Sequence, residues 1–158
     1  MKQGRNRREV LALGAGIGAA VATVPLLSND VRAAPEDMAR EIRRVIGAAT
    51  VKEGRVKLTL PELTENGNSS PLGITVDSPM TATDYVKAVH IFSERNPVAY
   101  IARLGLSPRA GRAKLATSIR IAESQFITVV AEMADGSYWS GRAETVVTTP
   151  ACIDDSRN

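Results

Sequence analysis

From Lys52 onward the hydrophobic residues recur at a spacing of two, and that period constrains the fold more than any other feature of the chain. Side chains on an extended strand alternate between two faces, so this period buries one face of a sheet and leaves the other wet. Val56, Leu58 and Leu60 alternate with Arg55, Lys57 and Thr59 in a first run, and Pro71 to Val76 forms a second. Tyr85 to Ser93 is a third, with Val86, Ala88, His90 and Phe92 on one face and Lys87, Val89, Ile91 and Ser93 on the other. Val98 to Leu106 and Arg112 to Ala122 continue the pattern. Gln125 to Ala134 and Ser137 to Thr148 are joined by Asp135-Gly136, a strong hairpin signal. Pro61, the Glu65–Ser70 cluster, Asp77-Ser78-Pro79, Asn96-Pro97 and Ser107–Gly111 punctuate the runs. About seven strands at regular spacing predict an all-β sandwich rather than a parallel sheet.

Only one segment breaks this rhythm. Met38, Ile42, Val45 and Ile46 recur at helical spacing, predicting an amphipathic helix over Pro35–Ile46. Pro35, Glu36 and Asp37 suit its first turn, Arg43 and Arg44 its last, and Gly47 its stop. So short a helix has to dock, and an edge or face of the sandwich is the available surface.

The first 33 residues read as an export signal. Lys2, Arg5, Arg7 and Arg8 precede an uncharged run from Val10 to Leu27, followed by Val31-Arg32-Ala33. This is the basic, apolar and small-residue layout of a secretory leader. Its glycines and Pro25 make the run a poor membrane span. Arg7 and Arg8, directly before the apolar segment, resemble a twin-arginine signal. Cleavage after Ala33 and a periplasmic location are therefore expected, with no lasting membrane anchor. Residues 34–148 are then the sandwich domain and 149–158 a C-terminal arm. The leader removes five basic and two acidic residues, so 20 − 5 = 15 Lys+Arg face 17 − 2 = 15 Asp+Glu. A neutral mature chain gives no basis for nucleic-acid binding.

Cys152, the only cysteine, sits six residues before the last residue of the chain. It has no internal disulfide partner, and an odd thiol in an exported protein pairs between molecules or reacts. The competing role is a small hydrophobe packed under a final strand. His90, the only histidine, lies inside an alternating strand, where packing is expected of it rather than metal binding, which needs three or four ligands. Trp139 fills the core or anchors an interface, and the core is favoured. No triad, paired-histidine site or phosphate loop occurs, so neither catalytic residues, a metal nor a cofactor is expected.

Lys52-Glu53-Gly54-Arg55-Val56, Leu60-Pro61-Glu62, Glu65-Asn66-Gly67-Asn68, Val76-Asp77-Ser78-Pro79-Met80-Thr81, Asp84-Tyr85-Val86-Lys87, Ala131–Ser137 and Trp139 together resemble the SoxY family. This is the sulfur-carrier Y subunit of the periplasmic thiosulfate-oxidising system. The resemblance implies an immunoglobulin-like sandwich paired with a Z-type subunit. It also implies a C-terminal cysteine, here Cys152, that carries the substrate covalently. A c-type cytochrome complex, a thiohydrolase and a sulfane dehydrogenase would act on that thiol in turn, while the carrier itself catalyses nothing. The family's glycine-rich arm is not reproduced, because Pro150, Ala151, Ile153, Asp154 and Asp155 surround Cys152. Proline stiffens a chain where glycine frees it, and nearby carboxylates disfavour a thiolate. Two readings stay open. Cys152 bears sulfur for partners shaped to a bulkier, acidic tail, or the chain is a binding or assembly module whose cysteine is vestigial or forms an intermolecular disulfide. An independent thiol enzyme is the least supported, because nothing supplies a base beside the sulfur.

Overall fold

The structure, a computed structural model, describes residues 35–151. It is a two-sheet sandwich with a helix on its outer side. Helix α1 spans Pro35–Ile46, as its apolar stripe predicts. Strands β1 (Val51–Glu53), β2 (Val56–Thr59), β3 (Leu63–Thr64), β4 (Ser70–Val76) and β5 (Val86–Ser93) follow. Strands β6 (Tyr100–Gly105), β7 (Lys114–Ile119), β8 (Gln125–Met133) and β9 (Tyr138–Val147) complete the chain order. One sheet runs β1-β9-β8-β5-β6, with β3 also pairing β9, and the other runs β2-β4-β7.

Nine strands replace the expected seven or so, for two reasons. A short strand, β1, precedes the run Arg55–Leu60 and joins the larger sheet, while β2 within that run joins the smaller. Between β1 and β2, Gly54 and Arg55 have φ values of 117° and 26°, which turn the chain from one sheet to the other. β1 itself, Val51-Lys52-Glu53, holds one apolar residue and carries no period, so the alternation that starts at Val56 does not announce it. The second addition, β3, is too short to carry a period. Both β1 and β3 pair β9 in parallel, while the other pairings are antiparallel. The Asp135-Gly136 hairpin forms as predicted, with the Ser137 N–H donating to Asp135 Oδ1 at 2.8 Å.

The core lies between the sheets and is built from Leu72, Ile74 and Val76 of β4, Val89 and Ile91 of β5, and Ile127, Val129 and Ala131 of β8. The sheets approach closely at Gly141 of β9, where an added Cβ would collide with the Val56 carbonyl oxygen and lie 3.0 Å from Leu58 Cδ1. Strand β5 departs from simple alternation, because every residue in it except Lys87 is buried. It is interior to the larger sheet, and α1 packs against it from the side away from the core. The helix thus covers a face rather than an edge.

Candidate functional site

Cys152, Arg7 and Arg8 lie outside the described residues, as do the expected leader and its cleavage point. The structure does describe the segment to which Cys152 is bonded, and that segment is stitched to the sandwich residue by residue. Past the middle of β9, the Val146 N–H donates to the Glu62 carbonyl at 2.8 Å and the Thr148 N–H to the Thr64 carbonyl at 3.1 Å. Beyond the strand, the Thr149 carbonyl accepts from the Gly67 N–H at 2.8 Å. Pro150 has no N–H to offer. The Ala151 N–H then donates to the Ile121 carbonyl at 3.1 Å, and Ala151 is only 7% exposed. The loop is closed by Ile121, whose own N–H donates to the Gly67 carbonyl at 2.8 Å.

Gly67 is the pivot of this arrangement. A Cβ there would collide with the Ile121 carbonyl oxygen, 2.7 Å from the Ala151 nitrogen and 3.1 Å from the Thr149 oxygen. Only a residue without a side chain lets three backbones meet at that distance. Ile121 is in turn held by two buried amides. Asn96 Nδ2 donates to the Arg120 carbonyl at 2.9 Å, and Asn96 Oδ1 accepts from the Ala122 N–H at 2.9 Å and from Gln125 Nε2 at 2.9 Å. On the other side of the turn, Thr64 Oγ1 meets Ser70 Oγ at 3.1 Å and Thr145 Oγ1 at 3.0 Å, and Thr145 donates to the Pro61 carbonyl at 2.7 Å. All three hydroxyl residues are buried, so these bonds satisfy groups that would otherwise be stranded.

In the sequence Glu65–Ser70 and Asn96-Pro97 read as punctuation, Gly67 stands out only as part of a family-like segment, and nothing marks Asn96, Ile121 or Gln125 as supports of the tail. The available signal was Asn66-Gly67 itself, but a glycine required by close approach looks the same in sequence as one required by a turn.

The other residues singled out lie elsewhere. His90 is 4% exposed, with Nδ1 2.9 Å from the Tyr100 hydroxyl and its ring stacked with those of Phe92 and Tyr100. Its Nε2 is 3.7 Å from Glu132 Oε2, too far for a hydrogen bond. Burial pushes the imidazole below its ordinary pKa, with Glu132 opposing. The Glu132 carboxyl is held below the usual carboxylate range, chiefly by its 2.7 Å bond to Lys87 Nζ. Trp139 is half-buried against the core, while Lys52 Nζ and the Arg55 guanidinium lie 5.4 and 4.8 Å from its ring centroid. It therefore fills core space and also presents a cation-flanked face. A cleft of about 580 Å³ between Arg55, Lys57, Arg112 and Lys114 opens at the Val76 end of β4, whereas Gly67 sits just before its Ser70 end. The length of that strand, about 20 Å, separates the cleft from the tail anchor. Among the described residues no three His, Cys, Asp or Glu side chains form a cluster that could hold a metal. No described helix is long and apolar enough to cross a membrane.

A family model for the sulfur oxidation protein SoxY matches residues 42–152. No curated protein sequence matches the chain. Among solved structures, the sulfur carrier protein SoxY from Chlorobium limicola f thiosulfatophilum is similar with a TM-score of 0.60 at 22% identity, over 72% of this chain and 97% of that one. A superoxide reductase (neelaredoxin) from Ignicoccus hospitalis has a TM-score of 0.51 at 16% identity, over 74% of this chain and 95% of its own. A putative superoxide reductase from Thermotoga maritima has a TM-score of 0.53 at 14% identity, over 61% and 93%. At these identities the structural likenesses show a shared sandwich fold and nothing about activity.

Proposed function

The chain belongs to the SoxY family of sulfur oxidation proteins, and from that premise we propose that it is a sulfur carrier whose cargo is bound covalently to Cys152. The observation that supports this most directly is where the family match ends: it runs through to residue 152, the only cysteine of the chain, although the glycines around that cysteine are not reproduced. In the proposed cycle the Cys152 thiolate and thiosulfate lose two electrons to a c-type cytochrome partner and form a cysteine S-thiosulfonate, R–S–S–SO₃⁻. Water then cleaves the S–SO₃ bond at a thiohydrolase, releasing sulfate and two protons and leaving R–S–S⁻ for oxidation by a sulfane dehydrogenase. The carrier supplies the thiol and its placement, and the bond-making groups belong to the partners. Sequence features support export through the twin-arginine route by way of Arg7 and Arg8, which puts the cycle in the periplasm. Pairing with a Z-type subunit has support from exposed apolar surface. Leu63 and Val146 are register partners on β3 and β9, 54% and 49% exposed, and form an apolar step that a partner would cover.

Intact-protein mass spectrometry tests the central claim. Protein purified from the periplasm of thiosulfate-grown cells should carry a reductant-labile mass of sulfur or thiosulfonate that is absent from Cys152→Ser. An unmodified thiol throughout, or a disulfide-linked dimer alone, would favour the binding-module reading instead. The same spectrum reads the mature N-terminus, and replacing Arg7 and Arg8 by lysine should leave precursor in the cytoplasm.

A further inference from the structure

The carrier reading leaves open how far the sulfur travels, and the anchor of the tail bears on that question. Strand β9 ends at Val147, five residues before Cys152. A tail free from Val147 onward would let its cysteine sweep a radius of about 20 Å, at roughly 3.4 Å per residue plus the side chain. Three of the intervening residues are tied by main-chain bonds, Thr148 to Thr64, Thr149 to Gly67 and Ala151 to Ile121. Ala151 is also buried, on the residue adjoining the cysteine. Covalent geometry keeps the Cys152 sulfur within about 7 Å of the Ala151 Cα, and the anchor ties that Cα to the sandwich, so the radius shrinks from about 20 Å to about 7 Å.

We propose that Gly67 is a positioning residue for the carrier thiol. By letting the tail, the Glu65–Ser70 turn and the Ile121 segment meet at backbone distance, it fixes the root of the cysteine at one end of the sandwich. The sulfur therefore reaches its partners only from that end of the sandwich, with the chain up to Ala151 taking no part in the movement. This rests on the carrier reading for its meaning, though not for its geometry. The geometry is supported from both sides. Gly67 binds Thr149 directly, and Ile121, which binds Ala151, is fixed by Asn96 through the neighbouring backbone of Arg120 and Ala122. The sequence around the cysteine agrees with a short tether. Pro150 lies inside the anchored stretch, where a lost N–H costs nothing because Thr149 contributes its carbonyl and Ala151 its N–H.

The test uses the exported protein labelled at Cys152, its sole cysteine, with a methanethiosulfonate nitroxide. Unmodified protein should give a motionally restricted spectrum. Gly67→Ala should give a faster one, and so should a variant with Gly-Ser-Gly inserted between Ala151 and Cys152. The insertion leaves the anchor intact and keeps the test decisive should Gly67→Ala fold poorly. In the unmodified protein the Ala151 amide should exchange at least about tenfold more slowly than in an unstructured chain. Both variants should keep full reactivity toward iodoacetamide yet show partial loss of the sulfur adduct in thiosulfate-grown cells, an effect that a merely structural role would not produce. Identical label spectra in all three proteins, or an unprotected Ala151 amide, would overturn the proposal while leaving the carrier reading intact. A restricted label in a protein that never acquires an adduct would overturn the carrier reading and leave the clamp standing.

Discussion

Gly141 and Gly67 satisfy the same local rule with different reach. At each, an added Cβ would strike a carbonyl oxygen of another segment, Val56 in one case and Ile121 in the other. Gly141 lies within β9, where the obstructed neighbour is β2, a strand of the opposite sheet. Gly67 lies in a turn, where the obstructed neighbours are the tail and the Ile121 segment. A close approach is therefore as costly as whatever must move to relieve it. Relieving Gly141 separates two sheets and loosens the core between them, whereas relieving Gly67 frees a tail.

The comparison breaks or holds on two substitutions. Gly141→Ala is overpacking inside the sandwich and should cost about 1–3 kcal/mol. At about 2–4 °C per kcal/mol for a chain of this size, the melting temperature should fall by several degrees or more. Gly67→Ala should move the global midpoint far less while abolishing protection at the Ala151 amide. Equal losses of midpoint in the two variants would mean that the tail anchor unfolds with the core as one cooperative unit.

Thr145 sits between these regimes, on the same strand as Gly141 and close to the tail. It is fully buried, accepts from Thr64 Oγ1 at 3.0 Å and donates to the Pro61 carbonyl at 2.7 Å. Thr145→Val keeps its shape and removes the hydroxyl, leaving the buried Thr64 hydroxyl and the part-buried Pro61 carbonyl short of a partner. A loss of about 1–3 kcal/mol is expected, read from denaturant midpoints at unchanged slope. Since Thr64 also receives the Thr148 N–H, some loosening at the tail root should accompany it. A midpoint change with no effect on Ala151 exchange would show that the hydroxyl cluster serves the core alone.

The parts of this molecule legible in sequence are those written by repetition. Helix α1 declared itself through Met38, Ile42, Val45 and Ile46, and the β8–β9 hairpin through Asp135-Gly136. The family was legible because many weak segments fell in the right order. The turn at Gly54-Arg55 was hidden because Val51-Lys52-Glu53 before it holds a single apolar residue, so no strand pattern ends there. The tail anchor was hidden for a different reason. Its bonds join residues 67, 121, 149 and 151, so its information lies in contacts between distant segments. No window of local sequence contains them. Asn96 illustrates the point. Beside Pro97 it reads as a loop residue, yet its buried amide makes three bonds that hold the segment beneath the tail.

The smallest expected effect concerns pH and sets the helix-covered face of the larger sheet against the tail end. Burial holds the His90 imidazole below its ordinary 6.5, with Arg103 acting in the same direction and Glu132 against it. When pH falls through about 6.5, His90 takes up a proton in the unfolded chain before it does so in the folded one. The unfolded state then binds more protons, so stability falls on acidification, by no more than about 1.4 kcal/mol per pH unit. Glu132 adds a second, lower window. Its carboxyl, held down by Lys87, contributes stability above its unfolded value that disappears as pH falls through the folded one. His90→Gln should therefore flatten the change in melting temperature between pH 7.5 and 5.5 and leave the loss below pH 4.5 in place. An unaltered slope between pH 7.5 and 5.5 would remove His90 as its source. At the tail end the bonds come from main-chain groups, amides and hydroxyls, none of which titrates in this range. The protection factor of Ala151 should accordingly stay level over the pH range in which the His90 face loses stability, so that mild acid weakens the fold without releasing the root of the thiol.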